Sequence, residues 1–182
     1  NSCLAQEYLN AQLPDTTIYV INLDSRADRW RNIASCGLSK FRTERFAAVR
    51  GRPGFAWEGC ARSHLQIVAA ARKRRAPYVI VAEDDFASTL DWPAWEARLW
   101  TILHWLLRNP SQWGVFNGHA SGMGLDVPTA VLSQELGLVE MPGGHNTHFI
   151  IYNGAHYDAV LAWYKVYHPR ALDNLADPYD PS

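Results

Sequence analysis

Glu83, Asp84 and Asp85 stand side by side directly after the apolar run Tyr78 to Ala82 (YVIVA). Three carboxylates this close repel one another unless a cation or hydrogen-bond donors offset their charge. A hard divalent cation would do so. Mg²⁺ and Mn²⁺ take carboxylate oxygens and complete their shell with water and substrate phosphate. In extended backbone Glu83 and Asp85 share a face and Asp84 points the other way. A solvated exit from a strand is the competing reading of the same triplet.

Two further stretches carry chemistry-bearing side chains. In WEGCARSHLQIV, Trp57 to Val68, Ser63 and His64 fall in the early turns of a helix. Free N–H groups and the helix dipole suit an anion there. Adjacent helix residues do not face each other, and no G-x-S-x-G elbow is present, so Ser/His hydrolase chemistry is not supported. On its own, His64 reads as a hydrogen-bonded structural histidine. In INLDSRADRW, Ile21 to Trp30, a strand runs into a polar loop holding Asn22, Asp24, Asp28 and Arg29. Arg could take a phosphate and Asp a ribose hydroxyl, or the pair could be a salt bridge at a helix start. Neither G-x-G-x-x-G nor a Walker A sequence occurs, which disfavours dinucleotide and P-loop sites.

The elements that must position these residues follow from periodicity and punctuation. Residues 17–23 read as a buried strand, 26–35 as a short helix ending near Gly37, and 44–49 as a second strand. Glu58 to Arg75 reads as a helix with an acid in its first turn and four basic residues in its last, stopped by Pro77. Residues 78–82 supply the next strand. Asp91 suits an N-cap for a helix to about Arg108, with Trp95, Leu99, Leu103 and Leu106 as its apolar stripe. Short strands at 113–117 and 148–152, a hairpin over 130–141 turning near Gly137, and a helix over 154–164 complete the chain. Strands alternating with helices predict an α/β fold with a mainly parallel central sheet covered on both faces, in one domain over 1–182. The segments 1–14 and 167–182 read as an N-terminal extension and a C-terminal tail. In such sheets ligands bind beyond the carboxyl ends of the strands, where both Asn22-Leu23-Asp24 and the acidic triplet lie.

Composition narrows the class. Seventeen basic and eighteen acidic residues leave a net charge of -1, which argues against nucleic acid as a partner. Cys3, Cys36 and Cys60 have neither CxxC nor Cys/His ligand spacing, so neither a disulfide framework nor a zinc site is indicated. No apolar run approaches the roughly 20 residues that span a bilayer. A chain opening on Asn rather than Met reads as an excised or processed piece, and the cytosol and the secretory lumen both stay open. The run Arg72 to Arg75 reads as a solvated helix end, with a membrane-surface patch for a lipid-linked acceptor as the alternative.

INLDSRADRW, EGCARSHLQIV and YVIVAEDDF, in this order and spacing, resemble glycosyltransferase family 25, which includes lipooligosaccharide galactosyltransferases and collagen hydroxylysine galactosyltransferases. NTHFIIYNGAHYDAVL at 146–161 is similar to the family's Thr-His-aromatic strand and the Gly-Ala helix after it. The resemblance spans about residues 17–165. It implies a GT-A fold and a nucleotide-sugar donor, UDP-galactose or UDP-glucose. It also implies Mn²⁺ or Mg²⁺ at Glu83 and Asp85, with His148 completing that site, and a glycan or glycoprotein acceptor.

By the same resemblance Asn22, Asp24, Asp28, Arg29, Ser63, His64 and Asp84 would face the donor. Inversion at the anomeric carbon would call for a carboxylate base. Asp173 is the closest match to the family's late acid, with Asp84 as a second catalytic candidate and Asp126 and Glu140 as rivals. The chain departs from the family at Ser25, where a basic residue is frequent, and at Glu58, where an apolar one is usual. It also stops soon after Asp173, where fuller members continue into acceptor-binding structure. A non-catalytic GT-A-like module is the alternative function.

Overall fold

The computed structural model describes residues 16–36, 38, 41–88, 90–118, 128–141 and 147–167. Asp173, Asp126 and the terminal residues 1–15 and 168–182, Cys3 and His168 among them, therefore lie outside the described residues, as do Gly37, His119 and His145. Strand β1 (Thr17–Asn22) leads through a single 3-10 turn (Asp24–Arg26) into α1 (Ala27–Ser35). Then come β2 (Arg42–Ala47), α2 (Ala56–Lys73), β3 (Tyr78–Glu83), α3 (Trp92–Arg108) and β4 (Val115–Asn117). The hairpin β5 (Ala130–Ser133) and β6 (Leu138–Glu140) precedes β7 (Phe149–Asn153), a 3-10 turn (Gly154–His156) and α4 (Tyr157–Tyr167).

The main sheet has the order β2-β1-β3-β7-β4. Strand β1 runs parallel to β2 and β3, whereas β7 is antiparallel to both β3 and β4. Four strands thus point one way and β7 is inserted against them. Periodicity did not reveal that reversal, because alternation fixes which face a side chain takes and not which way a strand runs. Helix α3 carries the chain from β3 across to β4 at the edge. The β5–β6 hairpin then intervenes, and β7 fills the gap from the opposite direction.

Alternate residues of the sheet feed two cores. Ile18, Val20, Ile80, Ala82, Phe149 and Ile151 pack with Ile33 of α1 and with Leu99, Leu103 and Leu106 of α3. Val79, Val81, Ile150 and Tyr152 pack on the other face with Ile67, Val68 and Ala71 of α2 and Tyr157 of α4. Each buried aliphatic side chain contributes about 1.5–3 kcal/mol. The result is a three-layer α/β/α domain. Among the described residues no helix is long and apolar enough to cross a membrane.

Local chemistry sets the helix ends. Asp91 Oδ1 accepts the Ala94 N–H at 2.9 Å and Pro93 occupies the first turn, so α3 starts where its cap dictates. Its Trp95 sits edge-on to Phe41 and Phe149 and against Phe86, so this tryptophan belongs to the core. Helix α2 ends in a Schellman motif, with Ala76 N–H bonded to Ala71 O and Arg75 N–H to Arg72 O. Arg75 holds the left-handed position, at φ 55. The basic run 72–75 is exposed, the solvated helix end expected, with surface contacts: Arg72 pairs with Asp158 at 2.7 Å, and the Arg74 guanidinium donates to Tyr19 Oη at 3.1 Å.

Candidate functional site

The carboxyl ends of β1, β2 and β3 lie at one rim of the sheet, and β7, running the other way, begins there. Glu83 N–H donates to His148 O at 3.0 Å, which extends the β3–β7 ladder to the site itself. The rim opens into a cleft of about 1060 Å³. Residues from the β1 end, the loop 48–54, the first turns of α2, the β3 end, Thr147, His148 and the α4 residues Trp163 and Tyr164 line it.

Each of the three acids has its own partners. Glu83 accepts from the Thr147 hydroxyl and, at 3.5 Å, from the Cys60 thiol. Asp84, whose side chain is only 10 % exposed, accepts from Asn22 Nδ2 at 2.7 Å and from Arg29 at 2.8 Å. Asp85 is 40 % exposed, accepts from Arg29 at 3.0 Å and has Oδ1 3.1 Å from His148 Nδ1. One guanidinium pairs with two of the three carboxylates and Glu83 has only hydroxyl and thiol donors, so negative charge is left for a further cation to balance.

Glu83, Asp85 and His148 each offer a donor atom within 4.8 Å of the other two. Adjacent ligands of an octahedral ion at about 2.1 Å stand about 3.0 Å apart, close to the Asp85–His148 separation. The donor set, two carboxylates and an imidazole, fits Mn²⁺ or Mg²⁺.

Asn22 is the hub of the β1 end. Almost fully buried, it donates to Arg26 O at 2.9 Å and to Asp84, and its Oδ1 accepts from Arg45 Nε at 2.8 Å. Arg45 also binds Asp24 Oδ1 at 2.6 Å. Asp24 is thus an exposed counter-charge beside the site. Asp28 pairs with Arg26 on the surface, which holds its carboxyl down to about 2. Of the Asp28-Arg29 pair, the structure turns Arg29 to the acids and Asp28 away from the cleft.

Helix α2 presents two i, i+4 pairs on neighbouring faces. Gly59 and Ser63 face the loop after β2. A Cβ on Gly59 would lie 2.4 Å from both Gly51 N and Val49 O, so only glycine lets that backbone pass. Ser63 Oγ donates to Gly59 O at 2.8 Å and accepts the Val49 N–H at 2.9 Å. Ser63 is fully buried and absent from the cleft lining. It was expected to face the donor, and instead it clamps the cleft wall to the helix.

Cys60 and His64 form the other pair and do line the cleft. His64 Nδ1 is 3.0 Å from Tyr152 Oη, its Nε2 has no hydrogen-bond partner, and burial pushes its pKa down to about 4. Burial, reinforced by Glu83, pushes the Cys60 thiol up to about 12. The expected structural histidine is half realised: one nitrogen is satisfied and the other is left open.

Positive charge also borders the cleft. Arg26, Arg29, Arg50 and Arg52 line it, and Arg52 is held by Glu58, with Nε 2.7 Å from Oε2. No side chain caps α2, whose first turn borders the cleft at Ala56 and Trp57. Glu140 belongs to the β5–β6 hairpin, where it accepts from Thr129 Oγ1 at 3.0 Å, and it does not line the cleft. Arg45, Cys60 and Thr147 were not picked as site residues. Cys60 could have been found from its one-turn spacing to His64, and Thr147 from the Thr-His pair. Arg45, inside β2, gives no local signal.

No protein-family model matches the chain, and no curated protein is significantly similar to it. The functional reading therefore rests on the motifs and their geometry.

Proposed function

We propose that the chain is a divalent-metal-dependent glycosyltransferase. It would move a hexose, galactose or glucose, from a UDP-sugar to a glycan or hydroxylated side-chain acceptor with inversion, in glycan biosynthesis. One observation carries this reading: the three motifs that resemble family 25 meet at a single cleft. Asn22 and Arg29 of the first bind Asp84 of the third, and Cys60 and His64 of the second lie beside Glu83.

Glu83, Asp85 and His148 would hold Mn²⁺ or Mg²⁺, which when bound stabilises the diphosphate leaving charge. Arg29 and the exposed Arg50 lie where they can flank the diphosphate, and Arg50 has no acidic partner among the described residues. Asn22 fixes the Asp84 carboxylate, so that it meets donor hydroxyls without reorganising. Trp57 and Trp163, each about half exposed on the cleft wall, offer flat apolar faces to a sugar ring. Apart from Glu83 and Asp84, no acid among the described residues lines the cleft. The base is then Asp84 or an acid such as Asp173.

Arg29 favours a second reading. It bridges Asp84 and Asp85 as an internal cation, as a GT-A-like binding module that dispensed with metal would require. Thermal shift with a panel of UDP-sugars, with and without Mn²⁺, separates the two. Donor at about 100 times its Kd stabilises the folded state by about 2.7 kcal/mol. For a chain of this size that is about 5–11 °C in Tm. The enzyme requires a metal-dependent gain that Asp85→Asn abolishes, together with slow release of free sugar. A gain without metal, or none with any donor, supports the module.

A further inference from the structure

The Cys60–His64–Glu83 group takes no part in the outer site except through Glu83. We infer that it is a second, inner cation site, selective for a borderline-soft divalent ion such as Zn²⁺, sharing Glu83 with the outer carboxylate–imidazole group. The three side chains each offer a donor atom within 4.8 Å of the others. Tetrahedral zinc, with Zn–S about 2.3 Å and Zn–O about 2.0 Å, sets sulfur and oxygen about 3.5 Å apart. Cys60 Sγ and Glu83 Oε1 are 3.5 Å apart.

The second, independent observation is His64 itself. Its ring is wholly buried and its Nε2 has no partner. A buried polar atom left unpaired is destabilising, and a metal bond would remove that cost. Tyr152 Oη can accept the Nδ1–H, the outer hydrogen bond that metal-binding histidines usually make. Cys60 and His64 sit one turn apart on the rigid helix α2, and Glu83 ends β3. Three protein ligands leave one tetrahedral position for water.

On binding, the Cys60 S–H bond breaks and its proton passes to solvent. Sulfur, imidazole nitrogen and carboxylate oxygen each donate a lone pair, and Thr147 gives up its bond to Glu83. A thiolate ligand selects Zn²⁺ over Mn²⁺ or Mg²⁺, which prefer oxygen. The inner site thus has a metal preference different from that of the outer one. It does not depend on sugar transfer, because its readout is metal content.

The experiment uses tag-free protein stripped with chelator, equilibrated with ZnCl₂, gel-filtered and assayed for zinc. Co²⁺ replaces Zn²⁺ in a parallel sample for absorption spectroscopy. The expected result is one zinc per chain, retained by Asp85→Asn and bound at least tenfold more weakly by Cys60→Ser and His64→Gln. The cobalt form should show a thiolate charge-transfer band, which also decides the matter should either variant fail to fold. Absence of that band in the parent overturns the inference. So does zinc that Cys60→Ser keeps, or zinc that only Asp85→Asn loses. Failure with every UDP-sugar would leave these metal results standing.

Discussion

Gly59→Ala is the sharpest test of how the cleft wall is held. The added methyl would stand 2.4 Å from Gly51 N, 2.4 Å from Val49 O and 2.9 Å from Arg50 C, all backbone atoms that no side-chain rotation can move. Loop and helix must separate by about 1 Å to relieve the clash, and overpacking of this kind costs about 1–3 kcal/mol. The same shift stretches the Ser63–Val49 hydrogen bond, now 2.9 Å, beyond useful range. Stranding a partly buried amide adds about 1–3 kcal/mol. Together the loss is about 2–6 kcal/mol, a large part of the 5–15 kcal/mol typical of a domain.

Equilibrium urea unfolding followed by tryptophan fluorescence should register that loss, and Tm should drop by about 10 °C. Ser63→Ala alone should cost about 1–2 kcal/mol. The double variant should be little worse than Gly59→Ala, since the bond is already broken. A Gly59→Ala midpoint within about 0.5 kcal/mol of the parent, or strict additivity in the double variant, would refute the clamp.

Arg75→Gly should raise stability by about 0.5–1 kcal/mol, because relief of the left-handed strain exceeds the added freedom of the unfolded glycine; urea midpoints check it. Asn153→Asp should cost about 2–4 kcal/mol by the same assay. Its amide donates to Pro110 O and Trp113 O at 2.8 Å each, and a carboxylate would face those carbonyls with no hydrogen to give. With chelator present, His64 binds fewer protons folded (about 4) than unfolded (about 6.5). Its contribution is therefore complete above about pH 6.5 and lost as pH falls towards about 4, by up to about 3 kcal/mol. A His64→Gln variant should flatten that part of the stability–pH curve. Asn22→Ala should weaken any Mn²⁺-dependent donor binding by tenfold or more while sparing Zn²⁺ uptake, as read by calorimetry, because Asp84 loses its fixing donor.

Much of this arrangement was legible before any coordinates. The apolar run into Glu83-Asp84-Asp85 announced a buried strand ending at a polar rim, and Asp91 announced the start of α3, because both signals are local. The approach of Asn22 to Asp84 followed from two strand ends sharing one side of a sheet. The direction of β7 was not legible, since it depends on which gap the sheet leaves after α3 and β4 are placed. Ser63 misled for a related reason. A hydroxyl early in a helix looks the same in sequence whether it faces a ligand or a neighbouring loop, and only the close pass of Val49 to Gly51 over Gly59 decides. Arg29 was read as either a phosphate ligand or a salt bridge at a helix start, with its partner unnamed. Its engagement with two carboxylates depends on a chain separation of more than fifty residues, across which spacing carries no information.

The late arrival of β7 has a bearing on how the chain is made. Until residue 153 has left the ribosome, β3 offers one entire flank of Tyr78–Glu83 with its backbone hydrogen bonds unmet and its side chains almost all apolar. A ribbon of that kind is a template for unwanted pairing with other chains. Translation stalled or truncated between α3 and β7 would therefore release a species prone to aggregate rather than a smaller working unit.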